Sequence, residues 1–239
     1  MAIIPARSGS IRLKGKNWRI FAGRPLIEHT IEAALSSKYL TEIIVSSDSH
    51  EVENIVSAYP TIQYHRRSSN LALEDTQMID VVKEVLDTRL QRPEFLILLQ
   101  PTSPNRSALT IDESLGKLIN SSGCNSIVSV NEVPHKFHPR KLGVALGEVL
   151  RRDNNEDYTL EAVNSTKPKY FYRNGAIYAF RLEEMIIQQT LLPQPVMWIE
   201  SPISESVDID TPEDFIIGEY HHKVRRGLDF DEFNGYEFL

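Results

Sequence analysis

Phe95-Leu96-Ile97-Leu98-Leu99, running directly into Gln100-Pro101-Thr102-Ser103-Pro104, is the stretch on which the fold turns. All five residues of its first half are apolar, so both faces of the strand it predicts are buried. That is the pattern of a mostly parallel sheet covered by helices on either side. Similar short runs rich in Ile, Val and Leu recur outward from it, at residues 2–5, 42–46, 62–65, 126–130 and 176–180. Between them lie segments with helical spacing: Leu26, Ile27, Ile31, Ala34, Leu35; then Val52, Ile55, Val56; then Ile79, Val82, Val85, Leu86; then Ile111, Leu115, Leu118, Ile119. The alternation predicts an α/β domain built on a doubly wound, Rossmann-like sheet. In such sheets ligands bind beyond the carboxyl ends of the strands. Gln100, Thr102 and Ser103 therefore emerge where a ligand would sit, although Pro101 and Pro104 would also make an ordinary polar turn there.

The rhythm holds over residues 1–133 and 173–226, which we take as the core. Residues 134–172 break it with Pro, His, Gly and charged residues, and read either as a solvated loop or as an excursion with a contact role. Residues 227–239 form a tail mixing acids with aromatics and no clear period.

At 239 residues and 41% hydrophobic, the chain can bury one sizeable core. No run approaches the roughly 18 apolar residues that span a bilayer, and no signal-peptide layout opens the chain, so no membrane and a cytoplasmic location are expected. Cys124 is the one cysteine, which excludes an intrachain disulfide and a thiolate zinc site. A net charge of −7 argues against a nucleic-acid binder. Yet between Met1 and Ile27 there is no Asp or Glu, while Arg7, Arg12, Lys14, Lys16, Arg19 and Arg24 all fall there. An acidic chain has gathered cations at one place.

That place follows the first strand: Pro5-Ala6-Arg7-Ser8-Gly9-Ser10-Ile11-Arg12-Leu13-Lys14-Gly15-Lys16-Asn17. Small residues let backbone N–H groups approach an anion, and the cations neutralise charge on a phosphate chain. Two commoner glycine motifs are excluded. Gly9 and Gly15 enclose five residues and Asn17 follows Lys16, which is not a Walker A loop, and the G-x-G-x-x-G spacing is absent. The plain alternative is a basic surface loop.

Residues 3–10 with Lys16-Asn17 resemble the opening signature of the acylneuraminate cytidylyltransferases, which make CMP-sialic acid and related CMP-sugars. The resemblance continues in order through Gly23-Arg24-Pro25-Leu26-Ile27, Ile44-Val45-Ser46-Ser47-Asp48, Arg67 with Leu71-Ala72 and Asp75, Leu98 to Pro104, Asn174-Gly175-Ala176-Ile177-Tyr178, and Asp208-Ile209-Asp210-Thr211-Pro212-Glu213-Asp214. It implies a nucleotidyltransferase-type sheet with CTP and an acidic nine-carbon sugar as substrates. Nucleotide contacts are implied at Ala6, Arg7, Ser10, Arg12, Lys16, Asn17 and Arg67, with Arg7 and Lys16 on the leaving pyrophosphate. Sugar contacts are implied at Gln100, Thr102, Ser103, Tyr178 and Arg173. Arg173 stands one residue from the position relatives use, which Tyr172 occupies here. Asp208 and Asp210 are implied as Mg²⁺ ligands, with Asp210 the better candidate to take the sugar's proton. The excursion, with His135, Lys136 and His138, is implied as a homodimer contact.

The residues agree with parts of this. Spaced by two, Asp208 and Asp210 would share one face at the end of a strand, where Thr211 can cap a helix opened by Pro212, Glu213 and Asp214. Magnesium needs few carboxylates when phosphates and waters fill its other positions. One departure is Ile11, where sialate enzymes carry Lys. Arg12 follows it, as in the loop of Kdo cytidylyltransferases, which keeps two rivals open: an eight-carbon sugar, or a nucleotide-binding protein without catalysis.

Overall fold

A computed structural model describes residues 1–9, 12–152 and 169–227. Ser10 and Ile11 lie outside them, as do 153–168 of the expected excursion and 228–239 of the tail.

The six anticipated runs form strands: β1 Ala2–Pro5, β2 Ile43–Ser47, β3 Gln63–Arg66, β4 Phe95–Leu98, β5 Ser126–Glu132 and β6 Phe171–Arg181. A seventh, β7 Val196–Glu200, completes a sheet in the order β7-β5-β6-β4-β1-β2-β3. Neighbours run parallel except around β6, which is antiparallel to both β4 and β5. The helices are α1 Leu26–Leu35, α2 His50–Val56, α3 Met78–Asp87, α4 Ala108–Ile119, α5 Leu182–Gln188 and α6 Pro212–Arg225. Ser49, Ser107 and Thr211 cap α2, α4 and α6 by accepting a backbone N–H of the first turn.

Strand parity explains the layering. Ala2, Ile4, Ile97 and Leu99 face one way and pack with Ile27, Ile31, Ile111, Leu115 and Leu118 of α1 and α4. Met1, Ile3, Leu96 and Leu98 face the other way, onto Val82, Val85 and Leu86 of α3 and Met185 of α5. Both faces of the central strands are thus dry, as their composition requires.

β7 and α5 were not foreseen. β7 is an edge strand whose Trp198 is exposed and stacks on Phe171 at 4.9 Å, so its composition lacks the run of fully buried residues that marks the centre. β6 begins at Phe171, two residues inside the expected excursion, opposite Glu132 of β5. Within 134–152 the chain forms short turns at His135–Phe137 and Pro139–Lys141, then a two-stranded ladder, Val144–Leu146 with Val149–Arg151.

β1 is the turning point of the topology: the chain winds outward through β2 and β3, then crosses back to lay β4 on β1's other side. The crevice this leaves beyond the carboxyl ends of β1 and β4 is where the segments after Pro5 and Leu99 meet.

Ile97 sits in the middle of β4 with no exposed surface. Ile97→Ala should cost about 2–5 kcal/mol in chemical denaturation, with the dependence on denaturant concentration unchanged if the fold is kept.

Candidate active site

The crevice holds a cavity of about 340 Å³, lined by Arg7, Lys16 and Asn17 from the turn after β1, Arg67 after β3, Gln100 and Thr102 after β4, and Asp208 and Asp210 before α6. Residues from four distant parts of the chain meet there, each after a strand or just before a helix.

The basic turn is held from below. Ser8 donates its backbone N–H and its hydroxyl to Asp48, which follows β2. Burial works against the Asp48 carboxylate, but these hydrogen bonds outweigh it and hold its pKa below the usual range. Asn17 is buried and donates Nδ2 to the Arg7 carbonyl at 3.0 Å. Gly15 has φ +67°, and a Cβ there would sit 2.9 Å from the Trp18 ring, so only glycine allows the chain to turn into the Lys16–Trp18 helical turn.

The acid side is set by Ile209. The expected strand at 208–210 does not form; the segment joins no ladder, and the Ile209 N–H donates to the Thr102 carbonyl at 2.8 Å. Ile209 is wholly buried with Leu13, Phe21 and Leu26. Its inward side chain turns the flanking aspartates toward the cavity. Thr211 and Asp214 form a capping box, and Asp214 also accepts the Asp210 backbone N–H at 3.0 Å.

The two sides touch. Lys16 Nζ donates to Asp210 Oδ1 at 2.9 Å and to the Ile209 carbonyl at 2.7 Å. Arg12, on the exposed rim, pairs with Asp210 Oδ2 at 3.2 Å. Asp208 is open to the cleft yet walled by protein, and this desolvation raises its pKa; a hydrogen bond from Thr102 opposes the rise and Asp210 adds to it. Arg7 forms no ion pair among the described residues and is left with an unmatched charge on the wall. Arg67, buried and bonded to the Ser46 carbonyl at 2.9 Å, has its pKa lowered by burial.

A second cavity of about 380 Å³ adjoins the first across Gln100 and Met78. Arg173 and Tyr178 of β6 line it, with Leu191 and Leu192 from the segment after α5. Burial raises the Tyr178 pKa. Gly175, at φ +82°, lets β6 bend past the site: a Cβ there would lie 3.5 Å from both Asp208 Oδ2 and Gln100 Oε1.

Of the residues singled out from sequence, Arg7, Lys16, Asn17, Arg67, Gln100, Thr102, Asp208 and Asp210 line the first cavity and Arg173 and Tyr178 the second. Ala6 and Ser103 do not. Ala6 is wholly buried and its carbonyl accepts the Ser47 hydroxyl; Ser103 is wholly buried, with an unpartnered Oγ. Asp48 went unassigned although its place after β2 marked it. Leu191 and Leu192 follow a helix the sequence did not reveal.

Among the described residues no group of three or more His, Cys, Asp or Glu comes together to hold a metal. Two carboxylates with only hard oxygen donors fit Mg²⁺ bound jointly with phosphate, and fit poorly to a closed structural site.

A mostly parallel sheet with an anion-suited turn at its switch point and paired carboxylates across the cleft defines a nucleotidyltransferase. The chain belongs to the cytidylyltransferase family, whose model matches residues 1–209. It is 36% identical to the CMP-N,N'-diacetyllegionaminic acid synthase of Legionella pneumophila over 92% of this chain and 94% of that protein. It is 30% identical to an N-acylneuraminate cytidylyltransferase of Streptococcus agalactiae over 90% of this chain, which spans about half (51%) of that longer protein. In fold it is similar to a CMP:2-keto-3-deoxy-manno-octonic acid synthetase solved with CTP, with a TM-score of 0.64 at 20% identity, over 95% of this chain and 98% of that one.

Asp48→Asn should loosen the turn and lower stability at neutral pH by on the order of 1 kcal/mol, since its hydrogen bonds are partly solvent-screened. Because the folded-state pKa is depressed, the carboxylate's contribution is present above its ordinary pKa and lost as pH falls through the lowered value. Thermal melts of the two proteins should therefore converge in acid.

Proposed function

We propose that the enzyme transfers cytidylate from CTP to the anomeric hydroxyl of an acidic nine-carbon, sialic-acid-like sugar and releases pyrophosphate. The observation that carries this is the cationic wall of Arg7 and Lys16 facing Asp208 and Asp210 across one cavity, with Gln100 leading into a second. The names of the two curated relatives support the nine-carbon class.

In this reading the sugar oxygen attacks the α-phosphorus, the new O–P bond forms as the bond to the β-phosphate breaks, and the electron pair leaves with pyrophosphate. Arg7, Lys16 and Arg12 neutralise the leaving group, and the family resemblance gives Ser10 and Asn17 the role of holding phosphate or nucleotide groups. Asp210 accepts the hydroxyl proton. Asp208 and Asp210 would hold Mg²⁺, which would supply charge neutralisation on the phosphate oxygens. Until substrate arrives, Lys16 and Arg12 occupy the Asp210 carboxylate. Arg67 lies at the cytidine end, and Arg173 offers the sugar carboxylate a two-pronged partner. Gln100, Thr102 and Tyr178 hold the hydroxyl and acyl groups.

Mass analysis of the product from CTP, Mg²⁺ and a panel of nonulosonic acids tests the reading. A CMP-sugar is expected with at least one of them and not with the eight-carbon Kdo. CTP binding without any pyrophosphate release would leave a nucleotide-binding protein. Arg7→Ala should lower kcat by roughly 10²-fold or more, the scale of removing one fixed donor to a developing anion, and chelation of Mg²⁺ should stop turnover.

We also propose a homodimer formed through residues 134–152. Val144, Leu146, Val149 and Leu150, on a ladder of only two strands, and Leu142 just before it are all about half exposed, and such a ladder is marginal without a partner surface. His135, Lys136 and His138 lie on the same segment and would reach toward the neighbouring site. Among the described residues no helix is long and apolar enough to cross a membrane; with one cysteine and a CTP substrate, we assign the reaction to the cytoplasm. Leu146→Asp should convert the dimer to monomer in light scattering coupled to size exclusion while leaving the melting temperature of the monomer's core nearly unchanged.

A further inference from the structure

A third cavity, of about 310 Å³, opens between α1, the start of α4 and the end of α6. It shares no lining residue with the two cavities of the catalytic cleft. Its charged and ring-bearing walls are Arg24 just ahead of α1, His29 and Glu32 of α1, Arg106 ahead of α4, and His222, Arg225 and Arg226 at the end of α6.

The carboxylates nearby are already matched. Arg24 pairs with Glu32, and Arg225 pairs with Glu205 at 3.3 Å. Glu205 further accepts the Ser107 backbone N–H and the Thr110 hydroxyl at the start of α4. Two cations are left over. Neither Arg106 nor Arg226 forms an ion pair among the described residues. His29 and His222, their rings 5.0 Å apart, have pKa values lowered to about 4 by burial first and by Arg24 and Arg226 among the surrounding cations. Both rings are neutral at pH 7, so the cavity has a net positive wall without their help.

Unmet hydrogen-bonding capacity coincides with this charge. Arg106 is only 3% exposed and donates to the Ala176 carbonyl at 2.7 Å and the Thr30 hydroxyl at 3.0 Å, yet its Nε has no partner. His222 Nε2 is also buried and unpartnered, but its Nδ1 donates to Asn105 Oδ1 at 3.1 Å, so in the neutral ring Nε2 is an acceptor and gives an anion nothing. A buried guanidinium N–H without an acceptor is costly and uncommon. An acceptor supplied by a ligand removes that cost.

We infer that this cavity is a second anion site, which takes a compact multivalent oxyanion of the phosphate type. Guanidinium groups match phosphate oxygens in paired fashion. The cavity is at the small end of ligand pockets, roughly 300–1,000 Å³, which favours an occupant of pyrophosphate size over a whole nucleotide. Arg106 also reaches the Gln100 carbonyl at 3.4 Å, so an occupant that engages this side chain bears on the turn that lines the catalytic cleft.

Calorimetric titration with inorganic pyrophosphate, without CTP or sugar, tests the site separately from the proposed reaction. Three proteins are compared: wild type, Arg7→Ala in the catalytic cavity and Arg226→Glu in the third. Arg226 is exposed, so its replacement should leave the melting temperature unchanged. Binding that survives Arg7→Ala and weakens roughly tenfold or more in Arg226→Glu, as expected for losing a charge-assisted contact, supports the site. Absence of binding, binding abolished by Arg7→Ala alone, or a titration that Arg226→Glu leaves unchanged overturns it. Failure of CTP turnover would count against the catalytic reading and leave this result untouched.

Discussion

Lys16 and Asp210 stand 194 residues apart in sequence and 2.9 Å apart in space, and every chemical role assigned to the cleft depends on their being brought together. The ion pair does not do this alone. Asp210 is 43% exposed, and a pair so wetted contributes little to stability. The closure is made beneath it by Leu13, Phe21, Leu26 and Ile209, which pack into a small apolar cluster of their own. Burying each such side chain is worth roughly 1.5–3 kcal/mol, several times what the wetted ion pair can add. One cluster therefore seats the cationic turn on one side and the acid pair on the other.

The sheet determines what the two sides look onto. Because the chain reverses its winding at β1, the ends of β1 and β4 diverge and leave a crevice that no helix fills. Backbone from the turn after β1 and polar side chains from the Gln100 segment enter it from opposite walls. β6, antiparallel within an otherwise parallel sheet, brings Tyr178 and Arg173 to the same end. Gly175 is the condition for that approach, since its φ of +82° is a backbone conformation that residues with side chains rarely adopt.

Much of the candidate site's position was legible because the residues that line the cleft follow strands, and strands with two dry faces announce themselves by composition. The reason inferred for the acid pair was different from the real one. Parity on a strand would have given Asp208 and Asp210 a common side; burial of Ile209 in an unpaired segment gives the same outcome by packing. Ser103 shows the converse, a polar residue beside Thr102 that the turn points inward. Nothing local distinguishes the two, because the direction of a side chain in a turn is set by what the turn packs against.

The sequence by itself determined the layer architecture, the strands of the sheet's centre, the caps of α6 and the gathering of cations behind the first strand. These are local matters of periodicity, composition and short-range hydrogen bonding. Only the tertiary structure decided that β6 runs against its neighbours, that Leu191 and Leu192 reach the second cavity, and that Arg106 lies buried between two cavities. Those outcomes depend on contacts between segments far apart in the chain, and a contact of that kind has no signature in either segment alone.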